Sequence, residues 1–259
     1  MAQKNFKIID SWDYEWSRWD KVDSAGSGGF NDPILENELN LFLFKTKTNS
    51  IFWKGKRVLD AGCGNGRYSV IANELGAFVV SIDKGEHCCK ITKNNLKDPE
   101  VVQMDIFKPC LKPIFDVIFS LGVLHHTPNP KQAFLSLLSA LKEKGTMIIW
   151  VYRKESPIRE YIFTNMRKIT TKMPYNLLYI LGYFFIPIVK ILYGKKIHRV
   201  PIPKTGHHFF DWYSPRYRYH YTEEEIKSWL EETSLKDTEI YGWINRRYGG
   251  AIGAKGVKR

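Results

Sequence analysis

The chain has 259 residues, 44% of them apolar, which suits one α/β domain with additions and excludes a disordered chain. Its 39 Lys and Arg against 27 Asp and Glu leave a net charge of +12, so nucleic acid, an anionic membrane surface and an acidic substrate all stay open as partners, beside a merely solvated basic surface. Four cysteines, with no C-x-x-C pair and with Cys88 and Cys89 adjacent, argue against a disulfide framework or a cysteine metal site and fit a reducing compartment.

The opening stretch MAQKNFKIIDSWDYEW carries no apolar segment of the kind a secretory signal needs. Residues 1–52 are expected to form a helical cap. Trp12, Trp16 and Trp19 share one helical face, either packed on the domain or serving as a lid. Ser24 to Gly29 (SAGSGG) is a loop, and a second helix is expected from about Pro33 to Lys45.

From residue 53 to 153 strand and helix alternate. Arg57–Asp60 is a short apolar run ending on an acid, and Gly62, Gly64 and Gly66 follow at alternate positions before helical periodicity sets in at Tyr68. Glycine suits a turn that needs unusual dihedrals and close approach of the backbone to a ligand, and the helix start behind it offers free N–H groups. The next strand, Phe78–Ile82, stops at Asp83, near the offset expected of a carboxylate that grips ribose hydroxyls. The third glycine comes one residue earlier than in the dinucleotide fingerprint, which disfavours an NAD(P)-dependent oxidoreductase. Val101–Met104, Phe115–Ser120 and Thr146–Tyr152 are the remaining strands of a parallel sheet covered on both faces. Asp60, Gly62, Asp83, Asp105 and Ser120 then fall at strand carboxyl ends, where open α/β sheets bind ligands.

Residues 154–221 break the alternation. Leu177 to Tyr193 is nearly all apolar, interrupted by Gly182, Pro187 and Lys190 and flanked by Arg167, Lys168, Lys172, Lys195, Lys196 and Arg199. It is too short and too charged for a clean membrane span. It reads as buried cap helices or as an interfacial surface that admits a lipid-linked substrate, with peripheral membrane contact through 173–196. His207 to Glu225 is dense in rings and polar tips. In residues 222–259, Thr222 with Glu225 forms a capping box for a helix to about Glu232, and Ser234–Tyr241 and Tyr248–Gly256 are closing strands.

VLDAGCGNG followed by SIDKG, VVQMDIF, FDVIFSLGVLHHTPNP and LKEKGTMIIWVY resembles, in order, the motifs of the class I S-adenosylmethionine (SAM) dependent methyltransferases, over about two-fifths of the chain. DWYSPRY, at 211–217, resembles a bacterial subgroup of them. The resemblance implies a Rossmann-like, mostly parallel sheet with helices on both faces, an antiparallel last strand and a helical cap inserted after the fifth strand. It implies SAM as cofactor and no metal. Gly62, Cys63, Gly64 and Gly66 would lie against the methionine and ribose portions, with Asp60 ordering the turn. Asp83, beside Lys84, would take the ribose hydroxyls, Asp105 the adenine amino group and the Ile106 N–H a ring nitrogen. Ser120 and Leu121 would contribute backbone groups near the methionine.

His125 and His126 are candidate bases, with a structural role in capping or orienting the loop as the favoured reading. Asp211, Tyr213, Arg216 and His220 are substrate-side candidates. Ser120-Leu121-Gly122-Val123 is not the N/D-P-P-Y of base amino-methyltransferases. Cys110 follows the third strand, so it reads as a small apolar residue and not as a cytosine-C5 nucleophile. The expected reaction is methyl transfer to a small-molecule or lipid-linked metabolite. RNA methylation and a non-catalytic partner protein are the competing readings. The acceptor pocket is expected between the glycine-turn side of the sheet and the 153–221 insertion. The expected location is cytoplasmic or peripheral at the membrane's inner face.

Overall fold

The computed structural model describes residues 11–16, 38–154, 157–193, 210–245 and 249–259. Trp19, the loop at 24–29, the helix start at Pro33, the basic residues at 195, 196 and 199, and the stretch 207–209 lie outside them.

The described chain divides into two compact units, Met1–Trp19 with Ser156–Arg216, and Asp20–Glu155 with Tyr217–Arg259. The second holds the sheet. Its elements are helix α2 (Glu38–Thr46), β1 (Arg57–Ala61), α3 (Arg67–Glu74), β2 (Phe78–Asp83), α4 (Glu86–Asn95), β3 (Glu100–Gln103), β4 (Phe115–Leu121), α5 (Pro130–Leu138), β5 (Leu141–Tyr152), α8 (Glu223–Glu231), β6 (Leu235–Asn245) and β7 (Gly249–Lys258). The strand order is β3-β2-β1-β4-β5-β7-β6. The first five are parallel, and β7 runs antiparallel between β5 and β6. The Rossmann-like sheet with an antiparallel last strand is thus as expected.

Both faces of the sheet are buried, which explains the continuous apolar runs. Successive residues alternate sides. Leu59, Ile118 and Ile149 face a core with Phe134, Leu137 and Trp229. Val58, Val117, Phe119 and Ile148 face one with Phe42, Trp53 and Tyr68. Each such fully buried side chain contributes about 1.5–3 kcal/mol. Phe42 of α2 anchors the second layer, its ring 4.7 Å from Trp53 and 5.6 Å from both Tyr68 and Phe119.

Several boundaries differ from the sequence reading. β3 stops at Gln103, one residue early. β5 starts at Leu141, not Thr146, because Leu141 pairs with Phe115 across a register shift. Lys144 there adopts φ 62°, a local kink that hides the strand from a pattern reading. A 3-10 turn, Ser50–Trp53, capped by Asn49, leads into β1. Cys110 is exposed. In β7 the ring of Tyr241 covers Gly253, where a Cβ would meet the ring at 2.3 Å.

The first unit contains α1 (Ser11–Trp16), α6 (Pro157–Thr170) and α7 (Tyr175–Tyr193). Its core is Tyr14, Leu178 and Phe210, with Met173, Tyr175, Tyr179 and Tyr213 packed around it. Thr170 donates to the Tyr213 carbonyl at 2.8 Å, and Arg167 donates to that of Pro215 at 2.6 Å. The helices leave Ile158, Tyr161, Ile162 and Ile169 of α6, and Leu177, Ile180 and Phe184 of α7, exposed. Among the described residues no helix is long and apolar enough to cross a membrane.

Candidate active site

The glycine turn joins β1 to α3. Gly62, Gly64 and Gly66 have φ of 93°, 56° and 80°, all left-handed. The Gly62 and Cys63 N–H groups donate to the Ile82 carbonyl at 2.8 and 3.0 Å, which ties the turn to β2. At Gly62 a Cβ would meet the Val123 methyls at 2.5 Å, so the turn after β4 packs directly on the glycine turn. Thr92 of α4 lies under Gly66 and donates to the Gly64 carbonyl at 3.1 Å. Asn95 donates to the Asn65 carbonyl at 2.9 Å.

Asp83 closes the turn. Its Oδ2 accepts the Gly64 N–H at 2.9 Å, and its Oδ1 accepts the Gly85 N–H at 2.8 Å. These two bonds fix the position of the carboxylate beside the glycine turn. Asp60 is fully buried at the end of β1. Its Oδ2 accepts from Ser69 at 2.6 Å, and Ser69 is 2.8 Å from Ser81. Burial pushes the Asp60 carboxyl up to about 7, against the Ser69 bond and with help from the nearby Asp83 charge. Burial likewise raises the Cys63 thiol, so it is no thiolate. Asp105 accepts the Phe107 N–H at 3.0 Å and faces Lys84 at 3.8 Å. Ile106 is buried. Ser120 donates to the Ala61 carbonyl at 2.8 Å, holding the ends of β4 and β1 together.

The 3-10 turn Leu124–His126 follows β4. His125 is fully buried and His126 partly so. The His126 Nδ1 lies 2.9 Å from the Tyr217 carbonyl. A carbonyl only accepts, so this nitrogen carries a proton. His220 comes to the same place, against the Tyr152 ring. Asp211, Tyr213 and Arg216 belong to the other compact unit. Two groups beside these histidines were missed in sequence, Tyr152 and Arg218. The alternation Arg216-Tyr217-Arg218-Tyr219-His220-Tyr221 was a usable signal, since period-two spacing puts Arg218 and His220 on one side of an extended segment. Also missed was Tyr68, whose hydroxyl accepts from Lys45 at 2.6 Å and Arg67 at 3.1 Å. Burial opposes ionisation of this phenol, but Arg67 and Lys45 outweigh it and lower its pKa. Among the described residues no group of His, Cys, Asp and Glu is placed to hold a metal.

Residues 53–233 match the methyltransferase-domain family. The chain belongs to that family. The methyltransferase domain is SAM-dependent, and its residues here fit that cofactor. Three left-handed glycines bare the backbone, and an acid stands at the end of β1, at the end of β2 and just after β3.

The ubiquinone biosynthesis O-methyltransferase of Glaesserella parasuis is 34% identical over 158 residues, 57% of this chain. The match spans 61% of that relative's length. The Haemophilus ducreyi protein of the same name is 24% identical over 93% of this chain and 87% of its own. In fold the chain is similar to magnesium protoporphyrin IX methyltransferase from Synechocystis with bound SAH. The TM-score is 0.56 at 16% identity, covering 95% of each chain.

Proposed function

We propose that the chain is a SAM-dependent methyltransferase that methylates an oxygen atom of a small or lipid-linked metabolite. The observation that carries this is the glycine turn, held in left-handed backbone by Asp83 and α4, with Asp60, Asp83 and Asp105 in family order around it. The O-methyltransferase relatives favour oxygen as the acceptor atom.

Bound SAM supplies an electrophilic methyl group on a sulfonium. The chain's part is to hold donor and acceptor in line, which contributes about 7–11 kcal/mol. Asp83 would accept from both ribose hydroxyls, beside Lys84. Asp105 would accept from the adenine amino group and the Ile106 N–H would serve a ring nitrogen. Gly62, Cys63, Gly64 and Gly66 would line the ribose and methionine. Asp60 would orient the turn through Ser69, and Ser120 and Leu121 would bound the methionine end. His126, its Nδ1 held at the Tyr217 carbonyl, would be the candidate base for an acceptor hydroxyl.

The lipid-linked version draws on α6 and α7. Ile158, Tyr161, Ile162 and Ile169 make an exposed apolar strip at helical spacing, and the segment 157–172 carries Arg159, Arg167, Lys168 and Lys172 against the single acid Glu160. Such a helix suits an anionic bilayer surface.

Calorimetry with SAM and with NAD tests the donor, and tritiated-methyl transfer to fractionated lipid and small-molecule extracts tests the reaction. Binding of NAD without SAM refutes the whole reading. Flotation on liposomes that ignores anionic lipid refutes the membrane contact alone.

A further inference from the structure

Asp60 stands at the end of β1, just before the glycine turn, with 2% of its surface exposed. Among the described residues its carboxyl receives one hydrogen bond, from the Ser69 hydroxyl to Oδ2 at 2.6 Å. Behind Ser69 stands Ser81, oxygen to oxygen 2.8 Å. Hydroxyls both donate and accept, so this pair can turn to meet either an ionised or a protonated Asp60. A carboxylate has room for about four donors, and one neutral hydroxyl offsets little of the cost of burying its charge. Asp83, at the end of the next strand, is held by two backbone N–H groups.

The groups around Asp60 are neutral or negative. Across the sheet it pairs with Ser81 of β2 and Phe119 of β4, and α3 brings Ser69. Asp83 adds a negative charge, and Cys63 in the turn is a neutral thiol. No Lys, Arg or His among the described residues bears on it. A buried carboxyl with one neutral donor and a negative neighbour keeps its proton until a cation arrives. Burial accordingly raises Asp60 to about 7, with the Ser69 bond opposing and the Asp83 charge assisting.

The methyl donor of this site is such a cation. SAM carries a sulfonium and an ammonium against one carboxylate, and S-adenosylhomocysteine lacks the sulfonium charge.

We propose that Asp60 is the proton-exchanging residue of the donor site: a carboxylic acid in the empty protein, it becomes a carboxylate when SAM binds, and its proton passes to solvent. The O–H bond of the acid breaks and no other bond changes. Positive charge entering a site of low dielectric stabilises the carboxylate. The product brings one positive charge less, so it draws the proton off less completely. Asp60 thereby favours donor over product, and pH sets the size of that preference.

The inference rests on the methyltransferase reading. Calorimetry of SAM binding in two buffers of unlike ionisation enthalpy counts the protons released. About one proton per SAM is expected at pH 6, and under about a third of one at pH 7.5. The ligand's ammonium is fully charged at pH 6, so that proton comes from the protein. SAM affinity should rise roughly five- to tenfold between the two pH values, and S-adenosylhomocysteine affinity by less. Asp60→Asn should release no proton and bind SAM equally at both. In infrared difference spectra a carboxylic-acid C=O band should vanish when SAM binds at pH 6, and should be missing from Asp60→Asn throughout. Ser69→Ala serves should Asp60→Asn fail to fold. It removes the donor to the carboxylate, so release at pH 7.5 should increase. SAM binding without proton release, release that survives Asp60→Asn, a persisting acid band, unchanged release in Ser69→Ala, or an equal pH response for the two ligands overturns the inference and leaves the methyltransferase reading standing. Failure of SAM to bind at either pH sinks both.

Discussion

Gly62→Ala separates two costs that a glycine turn combines. At Gly62 the backbone φ is 93°, and an added Cβ would meet the two Val123 methyls at 2.5 Å and the Val123 Cβ at 3.0 Å. A left-handed conformation costs a non-glycine residue about 1–2 kcal/mol. Overpacking a tight site adds about 1–3 kcal/mol, so the substitution should destabilise by roughly 2–5 kcal/mol in all. Gly55 is the control, with φ 72° and nothing within 4 Å of its built Cβ. Gly55→Ala should show the backbone cost alone, about 1–2 kcal/mol. Adding Val123→Ala to Gly62→Ala should recover part of the steric share, because it removes both clashing methyls. Urea denaturation midpoints give the stabilities, and calorimetry gives SAM affinity, which should fall in Gly62→Ala and hold in Gly55→Ala. Equal destabilisation of the two alanine variants would refute the packing of the turn after β4 on the glycine turn.

Asp83→Ala should weaken SAM binding roughly ten- to hundredfold by calorimetry, since hydrogen bonds to a charged acceptor are worth about 1.5–3 kcal/mol, and Asp83→Asn should lose less. Asp60 has a folded pKa raised from its ordinary 3.8 to about 7, so the folded state binds the extra proton and stability is lost as pH rises through that window. Asp60→Asn should therefore be more stabilising at pH 8 than at pH 4, by up to roughly 4 kcal/mol, and a pH-independent difference would contradict the shift. Thr222→Ala should cost about 1 kcal/mol of stability, because the Thr222 hydroxyl accepts the Glu225 N–H at 3.2 Å and the Glu225 carboxylate accepts the Thr222 N–H at 2.7 Å.

The sheet was legible because its strands are buried on both faces and end on chemically distinctive residues. Asp60, the three glycines and Asp83 announce the turn without any knowledge of tertiary contacts. The first half of β5 was not legible, since Lys142, Glu143 and Lys144 are exposed and carry no apolar pattern. The apolar run at 177–193 could not reveal which side is covered. The structure buries Leu178 and exposes Ile180 and Phe184, a distinction that depends on Tyr14 and Phe210 far away in the chain. The histidine cluster was half visible. His125 and His126 stand out in sequence, but Tyr152 and Arg218 join them only through the long-range backbone bonds of residues 217–221.

The place of β7 has a consequence for how the chain reaches this state. β6 is made before β7 yet lies outside it, so β6 has no route into the sheet until residues 249–258 have been threaded against β5. Before that moment the hydrogen-bonding edge of β5 is open, an invitation to pairing with other chains. Four glycines in β7, at 249, 250, 253 and 256, give little side-chain information to choose a register. The Tyr241 ring seated on Gly253 supplies it. Tyr241 thus acts as a latch on assembly. Its loss should show first as slow refolding and aggregation during expression, while the folded protein's SAM affinity changes little.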